Sequence, residues 1–160
     1  MRKIKKAPIS EPFAQSEQLF AHIPYLVSRL ASGWNAELGR RLAPYGISTT
    51  MLRALSLLHI FNTLTVNEIA ELAIAEQSSA SRAVDQLVVA GLVQRRISQT
   101  DQRRREVILS KQGESLLRGA WPVMVTGYTR LAAGIDSEAL ATTARTLAQM
   151  IENMRAVTDP

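Results

Sequence analysis

Apolar residues recur at helical spacing over most of the chain, which predicts a mainly helical protein. A strand-like pattern interrupts them between Leu92 and Leu109, where two short apolar runs flank a polar stretch. The predicted helices are Glu17–Leu42, one capped by Ser48 or Thr49 and ending near Phe61 or Asn62, one from Thr65 to about Leu72, one from Gln77 to about Ala90, one beginning at Ser110, and one beginning at Asp136 or Ser137.

Two prolines inside these helical patterns predict local distortions. Pro24 lies near the start of the first helix, where a proline is tolerated or produces a kink. Pro122 lies in the middle of the helix that Ser110 begins, where it removes one backbone hydrogen bond. We therefore expect that helix to bend or to be interrupted at Pro122.

The residues from Thr65 onward predict a helix-turn-helix. Thr65 and Glu68 form a capping box, in which each side chain satisfies a free backbone donor at the helix start. A turn at Ala73–Ala75 leads to a second helix, which Gly91 is expected to end because glycine readily takes a positive φ. The positions expected to face the core are Val66, Ile69, Ala70, Leu72, Ala80, Val84, Leu87 and Val88.

A basic β-hairpin is predicted directly after the second helix. Its strands are Leu92–Ile97 and Glu106–Leu109, and the connecting residues Ser98–Arg105 are too polar for us to expect burial. Across the tight turn, the carboxylate of Asp101 is expected to hold the Arg103 guanidinium in one orientation. The hairpin carries the densest basic cluster in the chain, formed by Arg95, Arg96, Arg103, Arg104 and Arg105. Two helices followed by such a hairpin are typical of a winged helix-turn-helix.

Polar side chains at the start of the second helix suggest that this helix reads DNA. The candidate contacts on it are Gln77, Ser78, Ser79, Ser81 and Arg82, and those on the hairpin are Arg95, Arg96, Asp101, Arg103, Arg104 and Arg105. Short side chains let a helix approach base edges, a helix N-terminus attracts anions, and an arginine can bind guanine through two hydrogen bonds. The alternatives are that the serines cap the helix or lie in solvent, and that the arginines form a solvated face.

Composition narrows the function further. The net charge of +5 and the pI of about 10.1 suit a polyanionic partner, although charge alone does not separate DNA from RNA or an anionic membrane. The absence of cysteine excludes disulfides, thiolate metal sites and cysteine redox sensing. There is no phosphate loop, nucleophile elbow or metal-ligand pair, so we expect no cofactor, no metal and no enzyme activity. No signal peptide or membrane span is evident, which predicts a cytoplasmic protein without a membrane partner.

Four stretches of the hairpin region and its flanks resemble the MarR family of bacterial transcriptional regulators. They are Ala83–Leu87, Gly91–Val93, Asp101–Arg103 and Val107–Gly113. The order and spacing of these stretches carry the resemblance, which covers nearly the whole chain. Ser110 stands where the family usually has threonine, and Ala80 stands where a larger aliphatic residue is usual. By position, Ser79, Ser81 and Arg82 match the family's recognition-helix residues.

The resemblance implies a homodimer that binds a pseudo-palindromic operator on double-stranded DNA, most often as a repressor. We therefore expect one MarR-type unit over 1–160, with a winged helix-turn-helix lobe at 46–110 and dimerisation helices at 8–45 and 111–160. The last helix has apolar residues near coiled-coil spacing, either for a seam between subunits or for packing within one subunit. The arm before Glu17 is expected to be irregular, with partner packing from Pro8 onward.

The family also implies a candidate small-molecule effector, aromatic or phenolic, bound between the dimerisation helices and the winged head. Segments carrying Tyr25, Trp34, His59 and Arg95 could border such a cleft, although core packing of Trp34 and surface positions for the others are the simpler expectation. Two other functions stay open: a nonspecific architectural DNA binder, and a winged-helix module that binds protein. The arginine-rich hairpin argues against the second.

Overall fold

The computed structural model describes residues 12–98 and 101–158, with side chains through Arg155. The helices in these ranges are Ser16–Phe20 (α1), Ile23–Leu42 (α2), Thr49–Phe61 (α3), Val66–Leu72 (α4), Gln77–Val89 (α5), Lys111–Leu131 (α6) and Ser137–Thr158 (α7), with a 3-10 turn at Ala43–Tyr45. The strands are Thr63–Leu64 (β1), Val93–Ile97 (β2) and Arg105–Leu109 (β3). The predicted fold class, mainly helical with a small β wing, is confirmed.

The chain divides into two compact units, with the boundary between Val123 and Met124. The first unit contains α1 to α5, the three strands and most of α6, and the second contains the end of α6 and all of α7. The predicted N-terminal arm before Pro12, and Gln99 and Thr100 of the predicted connection between the hairpin strands, lie outside the described residues.

The three strands form an antiparallel sheet in the order β1–β3–β2. Val93 pairs with Leu109 and Arg96 with Glu106, which fixes the register of the wing. Leu64 pairs with Val107, so the short strand β1 lies on the other edge of β3. The predicted hairpin is therefore correct to within one residue at each strand start, but the pattern did not predict β1.

The core of the first unit lies between the C-terminal end of α2, the helices α3, α4 and α5, and the inner face of the sheet. Its most deeply buried large side chains are Leu42, Leu55, Leu58, Ile69, Val84, Leu87, Val93 and Val107. Most of the helix-turn-helix positions predicted to face inward are buried as expected, but Leu72 is 44 % exposed. Leu72 is the last residue of α4, where the helix turns away from the core.

The first predicted helix is two helices in the structure. α1 ends at Phe20, His22 is the N-cap of α2, and Pro24 occupies the second position of α2. Proline fits there because the first amides of a helix have no intrahelical acceptor. Pro24 therefore begins a new helix instead of kinking a continuous one.

Pro122 does not interrupt α6, which runs unbroken from Lys111 to Leu131. Proline removes only one intrahelical hydrogen bond, and the turns on both sides remain paired. The expected interruption at Pro122 is wrong, and the alternative of a bend there stays a prediction. The start of α6 is fixed by Ser110, whose hydroxyl accepts the backbone N–H of Gly113 and donates to the carbonyl of Gly91 at 2.7 Å.

Each unit exposes apolar side chains on its helices. In the first unit, α2 has Ile23, Leu26, Val27 and Leu30 between 42 % and 51 % exposed. In the second unit, large apolar side chains that are at least 43 % exposed are Val125, Tyr128, Leu131, Ile135, Ile151 and Met154. Leu140, Leu147 and Met150 of the predicted seam are half-buried within the chain, whereas Thr143 is exposed.

Candidate nucleic-acid interface

Helix α5 has a buried apolar side and an exposed polar side, with Val89 at its last position as an exposed apolar exception. Ala80, Ala83, Val84 and Leu87 are buried against the rest of the first unit. The opposite side carries the exposed side chains of Gln77, Ser78, Ser79 and Arg82, with Ser81 half-buried at its border. The structure thus brings the five helix residues predicted from the sequence to one end of one helix.

The serines of α5 do not cap it. Glu76 is the N-cap residue, and Ser78 and Ser79 occupy the second and third helical positions. Within the described residues, the Glu76 side chain accepts no capping hydrogen bond from the backbone N–H groups of the first turn of α5. The capping interpretation of the serines is therefore wrong. The first turn leaves outward-facing N–H groups, which favour an anion at this helix end.

The start of α5 is also tied to α4. The Gln77 side-chain amide donates to the Asn67 side-chain oxygen at 2.9 Å. Thr65 and Glu68 form the predicted capping box at the start of α4, with the Thr65 hydroxyl accepting the Glu68 N–H. The two helices of the motif are thereby held together at their polar ends, beside the residues that face outward.

Three wing arginines predicted to contact DNA are held in ion pairs instead of pointing freely into solvent. Arg95 on β2 reaches Asp85 on α5, with Nη2 and Oδ1 2.6 Å apart. Arg96 donates to Glu106 across the hairpin at 2.9 Å. The third, Arg104, has Nη2 2.9 Å from both carboxylate oxygens of Glu68 on α4. The pairing partners Asp85 and Glu106 were not among the residues singled out from the sequence.

The other arginines among the candidate DNA contacts, one on α5 and two on the wing, differ in this respect. Arg82, Arg103 and Arg105 are exposed, and within residues 12–98 and 101–158 their guanidinium groups make no ion pair or hydrogen bond. An unpaired guanidinium keeps all of its donors available to an incoming anion. These three residues therefore have the freest positive charge near the helix-turn-helix.

The predicted contact between the Asp101 carboxylate and the Arg103 guanidinium is absent from the described residues. Asp101 Oδ1 instead accepts the backbone N–H of Arg103 at 2.9 Å, which is the geometry of an Asx turn. An aspartate side chain is short, so the amide two residues ahead is within easier reach than the end of an arginine. Asp101 thus shapes the turn at the wing tip, and the Arg103 guanidinium stays free of it.

Ser98 was expected to be too polar for burial, but it is only 5 % exposed. Its side chain hydrogen-bonds to Glu106, which is itself 8 % exposed. This hydrogen bond, together with those from Arg96 and the charge of Arg104, holds the pKa of Glu106 below its usual value. Burial is tolerated because the buried carboxylate remains charged and fully paired.

The pKa of Glu68 is likewise lowered. The largest cause is the hydrogen bond from the Thr65 backbone, followed by the Thr65 hydroxyl and the charge of Arg104. The sequence suggested a solvated helix face for Glu68 beyond its capping role. Its ion pair with the wing could not be read from local spacing, because Arg104 is far away along the chain.

An open pocket of about 570 Å³ lies between the C-terminal end of α3 and the start of α6. Its lining residues are Leu58, His59, Asn62, Leu109, Ser110, Lys111, Glu114, Ser115 and Arg118. His59 Nδ1 lies 2.9 Å from Glu114, whose pKa is lowered first by His59 and then by Arg118. Of the four residues suggested to border an effector cleft, His59 lines this pocket, and Tyr25, Trp34 and Arg95 do not.

No group of three or more histidine, cysteine, aspartate or glutamate side chains that could hold a metal ion occurs in the described ranges. Every helix in these ranges is too short or too polar to cross a lipid bilayer.

Comparison with known proteins identifies the family. A solved MarR family transcriptional regulator from Silicibacter pomeroyi is 36 % identical, covers 91 % of this chain and 97 % of its own, and superposes with a TM-score of 0.82. The chain belongs to the MarR family of transcriptional regulators. The MarR family model also matches residues 45–104. None of the curated proteins compared matches the chain.

Two further solved structures are similar to this MarR-family chain. A second MarR family regulator from Silicibacter pomeroyi is 33 % identical, covers 84 % of this chain and 91 % of its own, and has a TM-score of 0.76. The Staphylococcus aureus MepR–DNA complex is 18 % identical, with a TM-score of 0.72 over 83 % of this chain and 96 % of its own, and shares the fold. Membership of a family of transcriptional regulators confirms that the chain is not an enzyme.

Proposed function

We propose that this MarR-family protein binds double-stranded DNA sequence-specifically as a homodimer, at a pseudo-palindromic operator, and represses transcription there. One observation carries the proposal: the polar end of α5 and the unpaired wing residue Arg103 both belong to the first unit and are exposed to solvent. A helix with small polar side chains fits the major groove, and a basic wing fits the backbone and minor groove beside it.

The serines, Arg82 and Arg103 have three different roles in this proposal. Ser78, Ser79 and Ser81 allow close approach of α5, and Arg82 reads a guanine edge through two hydrogen bonds. Arg103, at the tip of the wing, enters the minor groove, where narrow A·T tracts concentrate negative potential. The MepR structure supports this use of the fold, because that protein was solved bound to DNA.

Exposed apolar surface on two helices supports the homodimer. On α2, Leu26 and Leu30 are about half exposed at 46 % and 51 %, and on α7 the same holds for Ile151 at 50 %. Removing such side chains from water is favourable, by roughly 25 cal/mol per Å² of apolar area. A second copy of the chain would cover both surfaces. Two α5 helices related by a twofold axis then read half-sites about one helical turn apart.

The proposal includes release from DNA by a small aromatic or phenolic effector. Ligand sites usually have volumes of about 300–1,000 Å³, and the pocket between α3 and α6 has about 570 Å³. Leu58 and Leu109 offer an aromatic ring apolar contact, and Lys111 can pair with an anionic group. Arg118, by contrast, is already paired with Glu114 in the same lining. Such a ligand lowers DNA affinity only if it binds the DNA-free arrangement more tightly. A regulator of bacterial genes acts in the cytoplasm, so we assign it that location.

Selection of preferred duplexes from a random pool tests the proposal. We expect enrichment of one inverted repeat, bound as two protomers per duplex and at least about a thousandfold more tightly than unrelated DNA. Binding without enrichment would indicate a nonspecific architectural protein. Absence of binding to any duplex at low salt would contradict DNA binding altogether and favour a protein-interaction module.

The effector is tested on the selected duplex. Benzoate and phenol are titrated into the complex, and we expect one of the two classes to release the protein. Arg118→Ala serves as the pocket variant and Arg130→Ala as an exposed control outside the pocket lining. Release that is equal in both variants would contradict this pocket as the effector site. Addition of the selected operator upstream of a reporter gene then separates repression from activation.

A further inference from the structure

A continuous series of charged and hydroxyl groups connects the wing to the helix-turn-helix. Arg104 binds Glu68 of α4 with Nη2 2.9 Å from both carboxylate oxygens. On its other side, Arg104 Nε lies 3.7 Å from Glu106 Oε1. Arg96 continues the series, because it donates to Glu106 at 2.9 Å and to the Thr63 hydroxyl of β1 at 3.2 Å. All three strands and α4 are thereby joined.

Both carboxylates in this series are themselves fixed. Glu68 Oε2 accepts the backbone N–H of Thr65 at 2.7 Å, so its position is set by the helix cap and not by Arg104. Glu106 is nearly buried and accepts hydrogen bonds from Ser98 and Arg96. An arginine held between two preordered carboxylates loses less entropy on pairing than one that must order a mobile partner.

We infer that Glu68 and Arg104 form a clamp that sets the position of the wing relative to α4, and that Arg104 is a positioning residue which does not contact DNA. The inference rests on the proposed DNA binding. Its basis is the contrast along three consecutive residues: Arg104 is paired on both sides, whereas Arg103 and Arg105 have no side-chain partner within the described ranges. A phosphate contact by Arg104 would compete with two carboxylates already within reach.

The clamp is expected to order the wing without adding much to global stability. Glu68 and Arg104 are 37 % and 41 % exposed, and exposed ion pairs contribute little to unfolding free energy. The free energy of locally opening the wing differs from the free energy of global unfolding, because loops open independently of the core. Two backbone hydrogen bonds report on it: Ser98 N–H to the Arg104 carbonyl and Arg104 N–H to the Asp101 carbonyl, both 3.0 Å long.

Amide hydrogen exchange of the DNA-free protein tests the clamp directly. Glu68→Gln retains a capping-box acceptor but loses the charge, and Arg104→Gln removes the other partner. We expect the amides of Ser98 and Arg104 to exchange about two- to fivefold faster in each variant, the range that an exposed pair supplies. The double variant should be no faster than either single one. Glu71→Gln, an exposed glutamate on the same helix, is the matched control.

DNA titrations test the absence of a phosphate contact. Arg104→Gln should weaken operator binding about two- to fivefold and leave the slope of log K against log salt unchanged. Arg105→Gln is the control and should reduce that slope by about 0.9, as expected for one lost phosphate contact. A slope change in Arg104→Gln equal to that of the control would overturn the inference.

Glu68→Gln gives the second DNA readout. If Arg104 met a phosphate, removal of the neighbouring negative charge would strengthen binding, whereas loss of a clamp weakens it. Wild-type exchange rates in both single variants would refute the clamp even if operator binding is normal. Failure to bind any duplex would instead refute the proposed function, because the exchange experiment requires no DNA.

Discussion

The backbone carbonyl of Leu92 occupies the place where a side chain on Gly113 would begin. A Cβ on Gly113 would come within 2.0 Å of that oxygen, and within 2.9 Å of the Leu109 side chain. The same carbonyl accepts the Ser110 N–H at 3.0 Å. The first turn of α6 therefore lies directly on the backbone at the base of the wing, and glycine is the residue that permits this contact.

Gly113→Ala should destabilise the first unit by at least about 2 kcal/mol, because a backbone atom cannot move aside as a flexible side chain can. Gly119 lies on the same helix with nothing within 4 Å of its Cβ position. Gly119→Ala should instead stabilise by about 0.5–1 kcal/mol through helix propensity. Urea unfolding of both variants gives the comparison. Equal changes in the two would contradict the close contact.

Arg103→Ala should weaken operator binding and reduce the slope of log K against log salt by about 0.9, because one positive charge that neutralises the DNA backbone is lost. The affinity is measured by fluorescence anisotropy over a series of salt concentrations. Arg40→Ala, also an exposed arginine of the first unit and outside the pocket lining, is the control and should keep the wild-type slope. An unchanged affinity for Arg103→Ala at every salt concentration would show that the wing tip does not contact DNA.

Arg82→Ala should change which operator bases are tolerated, because a bidentate contact to guanine supplies about 1–3 kcal/mol of discrimination. Arg82→Lys retains the charge without the planar fork, so it should restore part of the affinity and little of the base preference. Binding to a set of singly substituted operators measures both. Loss of affinity with an unchanged preference would identify Arg82 as a phosphate contact.

The free energy of unfolding should decrease as the solution is acidified, and part of that decrease should depend on Glu106. Its folded-state pKa lies below the ordinary value of 4.5, so the unfolded chain takes up a proton first as the solution is acidified. The stabilisation is present above about pH 4.5 and is lost as pH falls through the folded-state pKa. Glu106→Gln removes this contribution. We expect a smaller difference between urea midpoints at pH 7 and pH 3.5 in that variant than in the wild type.

The helix-turn-helix could be predicted from sequence because its signals are local. The capping box at Thr65, the apolar spacing of α5 and the glycine after it are each contained within one element. The break between α1 and α2 was not predicted, although Pro24 marks it, because apolar spacing continues across the break. The extra strand β1 has only two residues, too few for an alternating pattern.

The sequence predicts which residues form the candidate interface, and that set stays a prediction, but it does not predict the side-chain partners of those residues. All the arginines of the wing look alike in sequence, yet Arg104 meets Glu68 and Arg103 meets no side chain among the described residues. Such partners depend on which elements lie side by side, and local spacing does not contain that information. The Arg96–Glu106 pair is an exception, since a correct hairpin register places the two opposite each other.

The shortness of β1 limits how copies of the chain can associate. An exposed edge strand can pair with strands of other molecules through its free backbone N–H and C=O groups. The edge strand β1, Thr63–Leu64, has only two residues and offers few such groups. The opposite edge, β2, is only five residues long and carries the charged side chains of Arg95 and Arg96, which hinder pairing of another strand along it. Open-ended β-aggregation is therefore discouraged at both margins, which leaves helical surfaces as the route to a closed assembly of defined size.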